Sequence, residues 1–347
     1  MKMERGNVYA PACAVWEVTL KCNMRCLHCG SSAGKARPDE LTTEESIRLC
    51  SDLKKIGCGG VALIGGEVFL RDDWFEIAEE VKRLRMSLSI VSNGLMIDER
   101  MATQISKLEP DAVGISIDGS NPGTHDHIRS AKGSFTKSVK ALSLLKDKKL
   151  PVSIITAVHK LNFRELPEIG HMILKKDIVW QIQMASPFGR FSEEYMLSPL
   201  EFYSVGLFMA SLRKKHSLKD MPVAGAHDSG YYSSVIPFRG VGDWNGCQAG
   251  ITNLGIQSNG NVKGCLALPD DFIEGNVRER GLVNLWNDAD SFAYNRRFKE
   301  SSLSGFCRTC PHAAICRGGC LSVAYNTAKR RENAYCYYRI ESDMRKG

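Results

Sequence analysis

The stretch AVWEVTLKCNMRCLHCG, Ala14 to Gly30, sets an apolar, β-branched run directly before three cysteines, Cys22, Cys26 and Cys29. The run has the composition of a buried strand. A strand that ends in three thiols places soft metal ligands at the lip of a sheet, one short of the four that close a structural metal site.

Working outward, the rhythm of that first strand repeats. GVALIG (60–65), LSIVSN (88–93), AVGISID (112–118), VSIITAV (152–158) and IVWQIQM (178–184) are short apolar runs. Helical patterns separate them, near 43–56, 73–84, 98–108, 134–148 and 163–175. Repeats of this kind imply an α/β fold with a parallel sheet and right-handed crossovers. Because the runs are nearly continuously apolar, the strands are expected to be covered on both faces. In a parallel barrel the chemistry gathers where strands end and loops begin. The cysteine triplet follows the first strand, GGE (65–67) the second, NG (93–94) the third and DG (118–119) the fourth, so all four motifs are expected on one face.

Composition narrows the class. At 347 residues with 43% hydrophobic content, the chain can bury one large domain and a smaller one. The formal charge of +7 is scattered, without a basic block or aromatic stripe, so no nucleic-acid partner is expected. No apolar run approaches the roughly 20 residues that span a bilayer, and the N-terminus lacks a signal-like segment. A cytoplasmic protein without a membrane partner is expected. Thirteen cysteines in tight clusters then point to metal or redox chemistry rather than disulfides.

CNMRCLHC has the spacing C-x3-C-x2-C with an aromatic ring, His28, before the last cysteine, and resembles the cluster-binding loop of the radical S-adenosylmethionine (SAM) enzymes. The resemblance implies a partial (β/α)6 TIM-type barrel in which Cys22, Cys26 and Cys29 ligate three irons of a [4Fe-4S] cluster. The fourth iron is left open for SAM. In that family an electron from the reduced cluster cleaves SAM to methionine and a 5'-deoxyadenosyl radical, which abstracts hydrogen from substrate. The competing account is a zinc knuckle completed by His28. Zinc pairs more often come as C-x2-C with a distant second pair, and His28 lies too close in sequence to complete a tetrahedron.

By the same resemblance Gly65, Gly66 and Glu67 hold the SAM amino group, and SIDGSNPGTHDHIR, Ser116 to Arg129, contains ribose and carboxylate contacts in Ser116 and Arg129. Asn93 is a further SAM contact. The plain alternative makes Asp118 and Gly119 a turn and Arg129 an exposed cation.

The last third runs C-x12-G-x4-C from Cys247 through Gly260 to Cys265, then CRTCPHAAICRGGC from Cys307 to Cys320, then Cys336. This series is similar throughout to the cysteine-rich SPASM extension of radical SAM enzymes, which holds two auxiliary iron-sulfur clusters. The resemblance assigns Cys307, Cys310, Cys316 and Cys336 to one cluster and Cys247, Cys265 and Cys320 to the other. The latter takes a fourth ligand from Asp243 or a backbone atom, or is open to substrate. A zinc ribbon is the competing account, although seven thiols do not divide into closed sets of four. Leu266 stands where the sulfatase-maturating branch has an aspartate base, which disfavours that activity. Cys50 and Cys58 are read as small buried hydrophobes.

The expected domains are a radical SAM barrel over 12–186, a bridging region over 187–240 with a helix near 199–216, and a SPASM domain over 241–347. The implied activity is oxidative modification of a ribosomally made peptide by cross-link, thioether or dehydrogenation. The alternatives are the same chemistry on a tetrapyrrole, sugar or aminoglycoside, or a non-catalytic electron-transfer protein. An electron donor such as flavodoxin or ferredoxin is implied. Too few residues precede the first strand for a peptide-binding domain, so leader recognition falls to the barrel rim, the bridge or a separate protein. No catalytic residue is assigned; Tyr231, Tyr232, His227 and Asp228 lie in the region where a proton acceptor would be sought.

Overall fold

The computed structural model describes residues 9–226, 229–236 and 244–346. The six expected strands form in order: β1 (Cys13–Thr19), β2 (Gly60–Gly65), β3 (Ser87–Ser92), β4 (Ala112–Ser116), β5 (Val152–Val158) and β6 (Val179–Met184). Each pairs in parallel with the next. Between them run α1 (Thr43–Lys55), α2 (Trp74–Arg83), α3 (Glu99–Lys107), α4 (Pro122–Arg129), α5 (Ser134–Asp147) and α6 (Leu166–Ile173). Local chemistry sets the helix starts. Thr42 and Glu45 form a reciprocal capping box at α1, while Asn121 caps α4 with Pro122 in its first turn.

The expectation that the strands are covered on both faces is corrected here. Val61, Leu63, Leu88, Ile90, Val113, Ile115, Ile154, Trp180 and Ile182 are at most 2% exposed. They pack in one core with Leu53 of α1, Val81 of α2, Ile105 of α3, Leu145 of α5 and Ile169 of α6. The residues between them, among them Ile64, Val91, Ser116, Ile155, Gln181 and Gln183, are only half-buried. The helices therefore cover a single face. The other face keeps partial exposure although it too carries apolar residues such as Ile64, Val91 and Ile155, which is why the runs look buried on both sides in sequence.

The sheet also continues past both ends of the expected barrel. β7 (Val223–Gly225) adds in parallel to β6. On the other side β8 (Asn253–Ile256) pairs in parallel with β1, aligning Trp16 with Ile256, and β9 (Asn261–Lys263) and β10 (Gly275–Asn276) follow antiparallel. The result is ten strands in the order β10-β9-β8-β1-β2-β3-β4-β5-β6-β7. A main-chain ladder thus joins the cysteine-rich third to the strand that carries the first cysteines.

The bridging helix α7 (Pro199–Lys215) starts with a Ser198–Glu201 capping box and packs on the helix Tyr337–Met344, with the Phe202 and Tyr337 rings 5.2 Å apart. Among the described residues no helix is long and apolar enough to cross a membrane.

Candidate cluster and cofactor site

β1 leads straight into the loop that bears Cys22, Cys26 and Cys29. The base of the loop is closed by Cys22 N donating to Gly34 O (3.0 Å) and Gly34 N to Leu20 O (2.9 Å). The end of β2 lies hard against it: Gly66 N donates to Thr19 O (2.7 Å) and Glu67 N to Lys21 O (2.9 Å). A Cβ on Gly66 would sit 2.3 Å from Lys21 O, so only glycine permits this approach. Each thiol has a donor nearby: Met24 N for Cys22 (3.4 Å), Ala33 N for Cys29 (3.3 Å) and the Arg129 guanidinium for Cys26 (3.7 Å). Burial pushes the Cys22 thiol up to about 11, and thiolates at Cys26 and Cys29 push it the same way. Three soft donors held within electrostatic reach of one another ionise only with a strong positive centre among them. That donor set fits an iron-sulfur cluster.

Around the loop the strand ends supply a buried polar frame. The Glu67 carboxylate accepts from Asn93 N and Ser92 Oγ, both at 2.8 Å. Asn93 Nδ2 donates to Asn23 Oδ1 on the cysteine loop (2.8 Å). Ser116 ends β4 on the helix-free face, in register with Ile155. Asp118 and Arg129 form a pair at 2.5 Å and are 0% and 8% exposed, which overturns the plain reading of a surface turn and a solvated cation. His28 Nε2 faces Asp118 Oδ2 at 3.3 Å.

Sequence reasoning missed the segment after β6. Arg190 donates from its main chain to Cys29 O (3.0 Å) and from its side chain to Cys26 O (3.2 Å) and Ala33 O (2.8 Å). Gly189, at φ +65°, lies so near that a Cβ would meet Gly30 O at 2.2 Å. The signal was its position, Phe188-Gly189-Arg190 just beyond the sixth strand, at the strand ends where the other motifs sit.

In the last third, Cys307, Cys310, Cys316 and Cys336 line one cavity together with Tyr231, Tyr232 and His312. Burial lifts the Cys316 thiol to about 12, and repulsion from Cys336, Cys307 and Cys310 adds to it. Four converging thiols again fit a cluster. Tyr232 stacks on His312 with ring centroids 4.2 Å apart, and the buried Tyr231 hydroxyl accepts from Asn333 Nδ2 (2.8 Å). Cys247 and Cys265 gather separately with Leu268 and Leu321. Cys320 caps the helix Leu321–Ala328, its sulfur 3.1 Å from Ser322 Oγ. His227, Asp228 and Asp243 lie outside the described residues. Cys50 and Cys58, 0% and 3% exposed, are core side chains.

The sequence matches the family model of the radical SAM superfamily over residues 16–173 and that of the SPASM iron-sulfur cluster-binding domain over 247–311. Among curated relatives, mycofactocin maturase MftC of Mycolicibacterium smegmatis is 30% identical over 331 residues, covering 94% of this chain and 82% of that one. The AdoMet-dependent heme synthase of Methanosarcina barkeri is 27% identical over 344 residues, covering 95% and 97%. In fold, SuiB of Streptococcus suis bound to SAM superposes with a TM-score of 0.74 at 17% identity, over 94% of this chain and 76% of that one. The first family brings a [4Fe-4S] cluster and SAM, and the second brings auxiliary iron-sulfur clusters. A relative 30% identical across 94% of the chain, together with both family matches, makes this chain a member of the radical SAM superfamily in its SPASM-bearing branch.

Proposed function

We propose that this enzyme oxidatively modifies a ribosomally made peptide. Cys22, Cys26 and Cys29 hold the SAM-cleaving cluster, Cys307, Cys310, Cys316 and Cys336 one auxiliary cluster, and Cys247, Cys265 and Cys320 the other. Gly65, Gly66, Glu67, Asn93 and Ser116 line the SAM position. The bound cluster, reduced by a donor such as flavodoxin or ferredoxin, supplies reductive cleavage of SAM and hydrogen abstraction. The chain's own residues orient SAM over the helix-free face and present substrate to it there.

The observation that carries the peptide reading is the chemistry of that face. Across β2 to β6 its half-buried positions are apolar, hydroxyl or primary amide, with Gln181 and Gln183 side by side on β6. Amides and hydroxyls pair with a peptide main chain. The second reading, a tetrapyrrole, follows from the heme synthase relative. A tetrapyrrole brings several carboxylates, and these strand positions offer no Lys or Arg to meet them.

The test is 5'-deoxyadenosine yield from the reconstituted, reduced enzyme with SAM and host extract. Stimulation abolished by protease treatment of the extract supports a peptide. Stimulation that survives digestion contradicts it and favours a small metabolite.

A further inference from the structure

Lysines that are scattered along the sequence are gathered by the fold. α5, α6 and α7 end where β5, β6 and β7 begin, and those strand starts adjoin: Ser153 aligns with Val179, and Trp180 with Val223. Main-chain bonds tie the turns together, from Lys175 N to Asp220 O (2.8 Å) and from Trp180 N to Pro222 O (2.8 Å). Residues 146–149, 175–177 and 213–220 carry nine lysines and arginines against three aspartates. That surplus of six is most of the chain's formal net charge of +7.

Cations at helix C-termini are ordinary, because they meet the negative end of the helix dipole. At the ends of α1 and α2 several of them are engaged within the fold: Lys55 pairs with Asp52, Lys82 with Asp111 and Arg83 with Glu80. In the α5–α7 turns Lys146 pairs with Asp177 at 3.1 Å, Lys148 reaches Glu99 at 3.8 Å, and Arg213 donates to Val223 O (3.0 Å). Among the described residues no carboxylate pairs with Lys149, Lys175, Lys176, Lys214, Lys215 or Lys219, and all six are exposed. Leu218 and Val179 stand among them, 59% and 46% exposed.

We propose that this face docks on an anionic membrane surface, with the lysines against the headgroups and Leu218, in the turn after α7, as the apolar contact. Roughly four to eight clustered cations beside an apolar side chain suffice to hold a chain to acidic lipid. The composition separates this partner from others. Lysine is a compact, strongly hydrated charge that keeps its water at a headgroup layer. Protein interfaces are instead depleted in lysine and enriched in arginine and aromatic rings, and grooves for single-stranded nucleic acid add stacking rings. None of these three turns carries a Phe, Tyr or Trp, and Arg213 is already engaged. The expectation of no membrane partner rests on the lack of a spanning run, which a peripheral contact does not need. The cysteine loop follows the opposite ends of the strands, and the six residues of β6 extend about 20 Å. A chain held by this face therefore keeps the cluster loop and the helix-free face open to substrate.

The experiment is co-sedimentation of the reconstituted full chain with vesicles of phosphatidylglycerol and phosphatidylcholine in equal parts, beside vesicles of phosphatidylcholine alone. Wild type is expected to pellet with the anionic vesicles only, and less so as salt rises. Lys214→Glu/Lys215→Glu/Lys219→Glu is expected to weaken partitioning at least about tenfold, and Leu218→Ser to weaken it while leaving the charge intact. Unchanged 5'-deoxyadenosine yield without vesicles shows that each variant is folded, and Leu218→Ser keeps the test decisive where the triple variant is not. Lys137→Glu/Lys299→Glu/Lys329→Glu, an equal charge change at exposed lysines outside these turns, is expected to retain binding. No pelleting of wild type with anionic vesicles overturns the proposal, as does an equal loss in that control. Binding of wild type to polyuridylate or polyglutamate without vesicle binding also overturns it and gives the face to a nucleic acid or an acidic protein.

Discussion

Glu67 is 1% exposed and accepts hydrogen bonds from Asn93 N and Ser92 Oγ. Burial outweighs those donors and lifts its carboxyl from 4.5 to about 7. Between those values the folded chain holds the proton while the unfolded chain releases it. The contribution of this group to stability is full below 4.5 and is lost as pH rises to about 7. Glu67→Gln is expected to flatten that part of the stability–pH curve, measured by chemical unfolding at a series of pH values; an unchanged slope contradicts the assignment. At this scale GGE was legible because two glycines and an acid at a strand end are visible in sequence. The burial of Asp118 and Arg129 was not. It depends on His28 reaching Asp118 from a loop 90 positions earlier, and on α4 turning Arg129 inward, and neither leaves a local pattern.

Between elements, the segment after β6 and the cysteine loop pack backbone against backbone. Gly189 occupies left-handed space that costs other residues roughly 1–2 kcal/mol, and its missing side chain leaves room for the Gly30 and Cys29 carbonyls. Gly189→Ala is expected to displace the loop, lose about four irons per chain and abolish SAM cleavage; iron analysis showing a full complement contradicts this. The contact between α7 and the C-terminal helix centres on Glu341, which accepts from Tyr203 Oη (3.1 Å), Ser234 N (2.9 Å), Ser234 Oγ (2.7 Å) and Ser233 Oγ. Burial raises its carboxyl, yet these donors prevail and hold it below the ordinary value. Glu341→Ala is expected to cost about 2 kcal/mol in unfolding measurements, because donors lose a charged partner; a change within a few tenths contradicts that role. The six strands were legible because each is five to seven residues of apolar, β-branched chain. α4 was missed, because the segment was read for its ligand contacts, although Asn121-Pro122 is a helix-start signal. β8, β9 and β10, at four, three and two residues, are too short to show a period.

At the scale of the whole molecule, the pairing of β8 with β1 joins residues about 240 positions apart. No local sequence rule foretells it; the four thiols that line the cavity around Cys316 are those the family resemblance grouped, a grouping their spacing alone does not give. The consequence is one continuous sheet that runs from the front loop into the cysteine-rich third, where clusters staple a region of short helices and strands. In the proposed assignment the front and auxiliary sites draw on separate cysteine sets, so losing one need not empty the other.

Iron content and 5'-deoxyadenosine yield of the Cys22→Ala/Cys26→Ala/Cys29→Ala protein, compared with wild type, decide whether the front site is separate. The expected result is a loss of about four of about twelve irons, with the rest retained and no deoxyadenosine formed. Deoxyadenosine still forming in that variant would contradict the account.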